Sequence, residues 1–172
     1  VGKGEFKFYY TLETPPDQPE KAPPSDFYRY FMRWRHKWDI DARTNLTTEI
    51  LKITDQRRKD DRTYPATRSF LQDYFFREYE KQAEPLSYAL FHHAFNYSSL
   101  DLLLQTRANH WFGQIEKKPE INYNLPSLQL GESPLYFESV NQLGTYNLKG
   151  NALGNDLTDT RMDTRNTFSL PM

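Results

Sequence analysis

The stretch at residues 25–39, SDFYRYFMRWRHKWD, most constrains what this chain can fold into, because it packs aromatic and basic residues closely together. Read with the period of an α-helix, its aromatic residues form one stripe and its basic residues form another. Ser25 and Asp26 are typical of a helix start, where a hydroxyl or carboxylate accepts backbone N–H groups. The stretch therefore predicts a helix with an aromatic face (Phe27, Tyr30, Phe31, Trp34 and Trp38) and a basic face (Arg29, Arg33 and Lys37).

The rest of the composition favours large contact surfaces over a large core. Of the 172 residues, 37% are hydrophobic and 16% are aromatic, and the mean hydropathy is −0.86. The apolar content of this chain is concentrated in Phe, Tyr, Trp and Leu, the large side chains that dominate protein contacts. Valine occurs only at Val1 and Val140, which argues against a β-rich core.

Charge and cysteine content exclude several classes of function. The chain has 22 basic and 23 acidic residues, and this balance disfavours a nucleic-acid-bound role. The absence of cysteine excludes disulfides, thiolate metal sites and cysteine nucleophiles. No uninterrupted run of apolar residues has the length of a transmembrane helix. The chain begins at Val1, so either a targeting segment was removed or the first residues were not included.

The sequence predicts a mostly α fold built from helical hairpins and a long fourth helix. Apolar spacing predicts a second helix over residues 45–59 and a third that opens at Pro65 and ends near Pro85. The long fourth helix covers residues 85–112, with Gly113 as its C-cap.

Three regions follow from this interpretation. Residues 1–24 form an extended arm and a proline-rich linker, and residues 25–112 form the helical region. Residues 113–172 are rich in Gly, Pro, Asn and Ser, and they show no helical period. We expect them to form an irregular tail that lies along a partner's surface.

No cluster of residues predicts catalysis. His92 and His93 are adjacent, so on a helix they would point about 100° apart and would not readily share a metal with His110. We interpret them as core or interface residues. The acidic pairs lie in charged surroundings, and the glycines form no phosphate loop. The sequence therefore predicts no catalytic residue, no cofactor and no metal.

Residues 31–74 resemble the PDSW-type supernumerary subunit of mitochondrial complex I (NADH:ubiquinone oxidoreductase). The resemblance rests on MRWRHKWDID at residues 32–41, on the Ile- and Leu-bearing segment after it, and on YPATRSFLQDY at residues 64–74. The family's twin cysteines would fall near Gln56 and Thr67, and neither is cysteine. The resemblance implies a helical hairpin, held here by packing alone. It also implies a non-catalytic subunit on the intermembrane-space face of the membrane arm.

These observations together predict a non-catalytic accessory subunit of a mitochondrial inner-membrane respiratory complex, with complex I as the first choice. We expect it to be peripheral, with other subunits as partners and lipid headgroups as a further contact, and without nucleic acid or a small-molecule substrate. The alternatives are an accessory subunit of ATP synthase and an RNA-associated protein of the mitochondrial ribosome. The expected interface anchors are Phe27, Phe31, Trp34, Trp38, Trp111, Tyr136 and Phe137.

Overall fold

The computed structural model describes residues 1–13, 27–53, 74–75, 77, 86–109, 114–148 and 156–170, and all eight of its elements are β-strands. The strands are β1 (Gly2–Glu13), β2 (Phe27–Asp39), β3 (Thr44–Ile53), β4 (Ser87–Ala94), β5 (Ser99–Thr106), β6 (Ile115–Gln129), β7 (Tyr136–Leu148) and β8 (Leu157–Ser169). They form one antiparallel sheet whose strand order equals the chain order. The predicted mostly α fold is wrong.

The first predicted helix is strand β2, and its spacing explains the error. A step of four residues keeps side chains on one side of a strand as well as of a helix, so the basic positions share a face in either structure. A step of three residues keeps side chains on one side of a helix but moves them to opposite sides of a strand, so the steps of three in this stretch distinguish the two structures. Phe31 lies on the side of the sheet opposite to Trp34 and Trp38, so the predicted aromatic face is divided between two sides.

The second and fourth predicted helices are also strands. Residues 44–53 form β3, and the end of that predicted helix lies outside the described residues. The fourth helix is replaced by the β4–β5 hairpin, where the Phe95 N–H donates to the Ser98 carbonyl at 2.8 Å. The third predicted helix lies outside the described residues except at residues 74, 75 and 77.

The predicted irregular ends are largely regular strands. Residues 2–13 form β1, which pairs with β2 along its length, while the proline-rich linker at residues 15–24 lies outside the described residues. Strands β6, β7 and β8 replace the predicted tail. Alternating Ile121, Tyr123 and Leu125 have the two-residue period of a strand, and this period outweighs the scarcity of valine.

Short turns at residues 40–43, 95–98 and 130–135 join strands at one end of the sheet. In the first turn, the Asp41 carboxylate accepts the Arg43 N–H at 2.7 Å and the Thr44 hydroxyl at 2.9 Å. These hydrogen bonds hold the pKa of Asp41 below its usual range. In the third turn, Gly131 adopts φ of 63°, a conformation that glycine accepts without strain.

The apolar core among the described residues is small. Phe31, Leu51 and Ile53 are buried together, and the Phe75 ring stacks on the Phe31 ring with centroids 4.8 Å apart. This cluster lies at the end of the sheet where β3 terminates, and the remaining sheet extends well beyond it. The sheet therefore depends mainly on its backbone ladder and on side chains within its own two faces.

Two polar side chains form hydrogen bonds with the backbone of β3 at the end of the strand, past the last residue that pairs with β4. The Leu51 N–H donates to the Ser87 hydroxyl at 3.0 Å. The Asn109 amide accepts the Ile53 N–H at 2.9 Å and donates to the Leu51 carbonyl at 3.0 Å. Since buried backbone groups need partners, these side chains stabilise the end of β3 beside the core.

Truncation of Phe31 tests the contribution of this cluster. We expect Phe31→Ala to lower the free energy of unfolding by about 3–5 kcal/mol, because it leaves a cavity in a small core. Phe6→Ala is the matched control, since Phe6 is 63% exposed, and it should change stability by less than about 0.5 kcal/mol. Urea unfolding followed by circular dichroism measures both, and equal losses would contradict the assignment of the core.

Candidate interaction surface

One row of apolar side chains crosses seven strands on the same face of the sheet. Each member lies opposite the next in the antiparallel register, without a polar residue between them. The row consists of Trp38, Leu46, Phe91, Leu102, Ile121, Leu143 and Met162. We call the face that carries this row the apolar face.

Many large side chains on the apolar face are exposed, while Leu46, Phe91, Leu102 and Ile121 in the middle of the row are only partly exposed. Met162 is 72% exposed and Phe8 is 59% exposed, so neither packs into a core. The exposed set on this face is Phe6, Phe8, Tyr10, Trp34, Trp38, Ile50, Leu104, Tyr123, Leu143, Met162 and Phe168. An exposed apolar row that crosses seven strands is unusual for a protein surface in water and marks a contact with another apolar phase or partner.

A groove of about 590 Å³ runs along part of the apolar face. Trp34, Ile50, Ala89 and Leu104 form its apolar wall, and polar residues that include Thr48, Ser87, Thr106 and Lys118 also line it. The Lys118 ammonium contacts the Glu116 carboxylate at 2.8 Å. The groove can therefore accept a hydrocarbon chain against its apolar wall.

The opposite side of the sheet, which we call the polar face, carries a matching row of polar side chains. This row crosses all eight strands, again with each member opposite the next. It consists of Glu5, Arg35, Glu49, Tyr88, Gln105, Lys117, Tyr146 and Asp159. The sheet thus carries a continuous apolar row on one face and a continuous polar row on the other.

Glu49 joins two arginines of β2 on the polar face. Its Oε1 accepts hydrogen bonds from the Nε atoms of Arg33 and Arg35, each at 2.9 Å. Glu49 is nearly buried, and the Arg33 side chain is only 12% exposed. A buried carboxylate needs such charged partners, so this cluster fixes β2 against β3.

A second carboxylate cluster joins β6 to β7 on the polar face. The buried Glu120 carboxylate accepts from the Lys117 ammonium at 2.8 Å and from the Tyr146 hydroxyl at 2.9 Å. Gly144 lies opposite Glu120, where a Cβ would fall 2.7 Å from the Tyr146 hydroxyl. A side chain at Gly144 would therefore displace the Tyr146 ring.

The electrostatics of this cluster follow from its hydrogen bonds. Burial alone would raise the pKa of Glu120, but the hydrogen bonds from Lys117, Tyr146 and Asn122 outweigh burial and lower it. Burial, followed by the hydrogen bond to Glu120, raises the pKa of Tyr146. The proton therefore stays on Tyr146, and Glu120 stays charged at neutral pH.

Glu116 has a similar balance at the start of β6. Burial opposes its charged form, but hydrogen bonds from the Lys118 ammonium, the Arg107 N–H and the Thr106 hydroxyl hold its pKa below the usual range. The hydrogen bonds from Thr106 and Arg107 join Glu116 to the end of β5, beside the register shift between β5 and β6. The Tyr146 hydroxyl likewise joins Glu120 to β7, whereas both lysines lie on β6 itself. We interpret these carboxylates as structural.

The predicted anchors are distributed over both faces. Trp34 and Trp38 lie exposed on the apolar face, whereas Phe31 is buried in the core on the polar face. Phe137 lies in β7 with its ring centroid 4.9 Å from that of Phe168. Tyr136 begins β7 and is half-buried. Trp111 and the side chain of Phe27 lie outside the described part of the structure.

His92 and His93 point to opposite sides of β4. His92 Nδ1 lies 2.5 Å from the Asp101 carboxylate, and His93 Nδ1 lies 2.8 Å from the Thr44 hydroxyl. His110 lies outside the described residues. Within the described ranges, no group of three His, Asp or Glu side chains is placed to hold a metal ion.

The apolar row was not among the features predicted from the sequence. Its signal is a two-residue alternation, present in Phe6 and Phe8 and again in Leu100, Leu102 and Leu104. The same leucines also fit helical spacing, because Leu100 and Leu104 are four residues apart. Only pairing between strands shows that these short alternations join into one surface.

Replacement of Glu120 tests the polar cluster through the pH dependence of stability. A lowered pKa in the folded state means that charged Glu120 stabilises the fold above the unfolded-state pKa of about 4.3. This stabilisation is lost as the pH falls through the folded-state value. We expect Glu120→Gln to cost about 1.5–3 kcal/mol at pH 7 and progressively less in acid. The control, Glu132→Gln in an exposed turn, should leave urea unfolding unchanged, and a pH-independent cost of Glu120→Gln would contradict this account.

Comparisons with known proteins return no relative for this chain. No protein-family model, no curated protein and no solved structure matches it. Across the described ranges, no helix has the length and apolar character needed to cross a membrane.

Proposed function

We propose that this protein is a non-catalytic structural component of a membrane-bound assembly, and that its apolar face contacts lipid hydrocarbon. The observation that carries the proposal is the apolar row, which crosses seven strands without a polar interruption. Such a row gains free energy in hydrocarbon because each side chain leaves water. The polar face, with its buried ion pairs, supplies the opposite, hydrated side.

The dimensions of the apolar face support this contact. The eight residue steps from Tyr30 to Trp38 in β2 span about 27 Å at about 3.4 Å per residue. The hydrocarbon core of a bilayer is about 30 Å thick. The apolar face therefore has a length along β2 that is close to the thickness of the hydrocarbon core.

The backbone ladder also supports a lipid environment. In hydrocarbon, each backbone N–H and C=O group needs a partner within the protein. Strands β2 to β7 each pair with a neighbour on both sides. The apolar face can therefore be placed in hydrocarbon while the backbone of these strands remains hydrogen-bonded.

A protein partner would fit the apolar row less well than lipid. Protein interfaces carry about one hydrogen bond per 100–200 Å² of contact. Apart from the Trp38 indole N–H, no side chain of the apolar row can form a hydrogen bond. Lipid acyl chains require no such groups, so the composition of the row favours lipid over protein.

The identity of the assembly stays a prediction. Complex I remains the first candidate from the resemblance, although residues 31–53 form strands and not the implied helical hairpin. The mitochondrial ATP synthase and ribosome remain the alternatives. Mass spectrometry of complexes separated on a native gel tests them, and we expect the chain to comigrate with a membrane complex. Migration with ribosomal subunits, or as a separate small species, would contradict the proposal.

Two neighbouring substitutions on β7 test the lipid contact. Leu143 belongs to the apolar row, whereas Gln142 lies on the polar face. Placing an aspartate in hydrocarbon costs about 3 kcal/mol, so Leu143→Asp should lower partitioning into phosphatidylcholine vesicles on the order of 100-fold. Gln142→Asp is the matched control and should have little effect. Flotation of chain diluted from urea into vesicles measures both, and equal losses would contradict the lipid contact.

Fluorescence quenching gives an independent test of orientation. In a Trp111→Phe background, Trp34 and Trp38 on the apolar face supply the emission. We expect vesicle binding to shift this emission to the blue, and lipids brominated on their acyl chains to quench it. Aqueous iodide should quench it less once the vesicles are present. Unchanged iodide quenching in a chain that floats with vesicles would show that this face points away from lipid.

A further inference from the structure

We infer that β1 of one copy of this protein pairs with β8 of a second copy, so that the sheet continues across two molecules. The inference rests on the proposed lipid contact, since a sheet edge in hydrocarbon needs hydrogen-bond partners. β1 and β8 are the first and last strands in the sheet order, and no ladder joins them within the described chain. Because strand direction alternates, β8 of one copy meets β1 of the next antiparallel.

The two strands match in length and in both faces. With Gly2 opposite Phe168 and Glu13 opposite Leu157, all 12 residues of β1 have partners in β8. This register keeps each side of β1 on the same face as the matching side of β8, and it places Phe8 opposite Met162. The apolar row then continues from Met162 to Phe8 of the second copy.

Charge complementarity supports the same register. It places Lys7 opposite Asp163 and Glu5 opposite Arg165, so two pairs of opposite charge face each other. Within each strand the charges already alternate, with Lys7 and Glu5 3.2 Å apart and Arg161 and Asp163 2.7 Å apart. These groups are about half exposed, so they select the register while the backbone ladder supplies most of the affinity.

Neighbouring registers fit less well. A shift of one residue would turn the apolar side chains of one strand to the polar face. A shift of two residues in either direction places Lys7 opposite Arg161 or Arg165, and facing like charges are destabilising. A shift of four residues places Lys7 opposite Asp159, but it moves Met162 opposite a glycine and leaves the end of β8 without a partner.

Disulfide formation between copies tests the pairing, because the natural chain contains no cysteine. Phe8→Cys in one copy is mixed with Met162→Cys in another, in phosphatidylcholine vesicles, and oxidised. Facing residues in an antiparallel ladder have Cα atoms about 4.5–5.5 Å apart, a distance that a disulfide spans. We expect a disulfide-linked dimer on a non-reducing gel. Phe8→Cys mixed with Asp163→Cys is the control, and it should form little dimer because these residues lie on opposite faces.

Further variants test the register and the charges. Lys7→Cys mixed with Asp159→Cys reports the register shifted by four residues, and a stronger dimer band from it would overturn the assigned register. Lys7→Glu in the Phe8→Cys copy should lower the dimer yield about threefold through like-charge repulsion. Asp163→Lys in the Met162→Cys copy should restore the yield. A dimer yield that neither substitution alters would overturn the role of these charges.

Flotation of the same samples separates this inference from the proposed function. Chain that floats with vesicles but gives no dimer above the Asp163→Cys control overturns the pairing and leaves the lipid contact in place. Chain that fails to float overturns the lipid contact, whatever the gel shows. The double variant Phe8→Cys/Met162→Cys tests for a disulfide within one copy. If that disulfide forms at dilutions where mixed copies do not react, pairing between copies is overturned.

Discussion

The antiparallel backbone ladder ties each residue to one partner on the next strand, and the two faces of this sheet exist only while that register holds. A slip of one residue would move a strand's apolar side chains to the polar face. The carboxylate clusters oppose such slips, because Glu49 joins β2 to β3 and Glu120 joins β6 to β7. Polar contacts on one face thus maintain the apolar surface on the other.

This arrangement reverses the usual distribution of a water-soluble domain. The described residues bury few large apolar side chains, while they bury Glu49, Glu116 and Glu120 with their partners. The aromatic residues that would normally fill a core lie exposed on the apolar face. A single-layer sheet resolves this conflict when the apolar face meets hydrocarbon and the polar face meets water or other polar groups.

Part of this structure could be predicted from the sequence. The balance of charge, the excess of aromatic side chains and the strand-like character of residues 1–14 all follow from composition and local pattern. The fold class could not be predicted from helical spacing, because Leu100 and Leu104 are equally consistent with one face of a strand. The apolar row depends on pairing between residues such as Leu46 and Phe91, which are far apart in sequence. Local periodicity contains no information on such pairing.

The strand order also has a consequence for how the chain folds. Each strand pairs with its neighbour in sequence, so no strand has to wait for a distant segment before it can add to the sheet. The hairpins β2–β3, β4–β5 and β6–β7, which have the short turns, can form first on the microsecond timescale of isolated hairpins. The three hairpins then join, with β1 and β8 adding at the two ends. The sheet can therefore assemble in the order of synthesis. A partly synthesised chain would expose the unpaired edge of its last strand instead of a misfolded core.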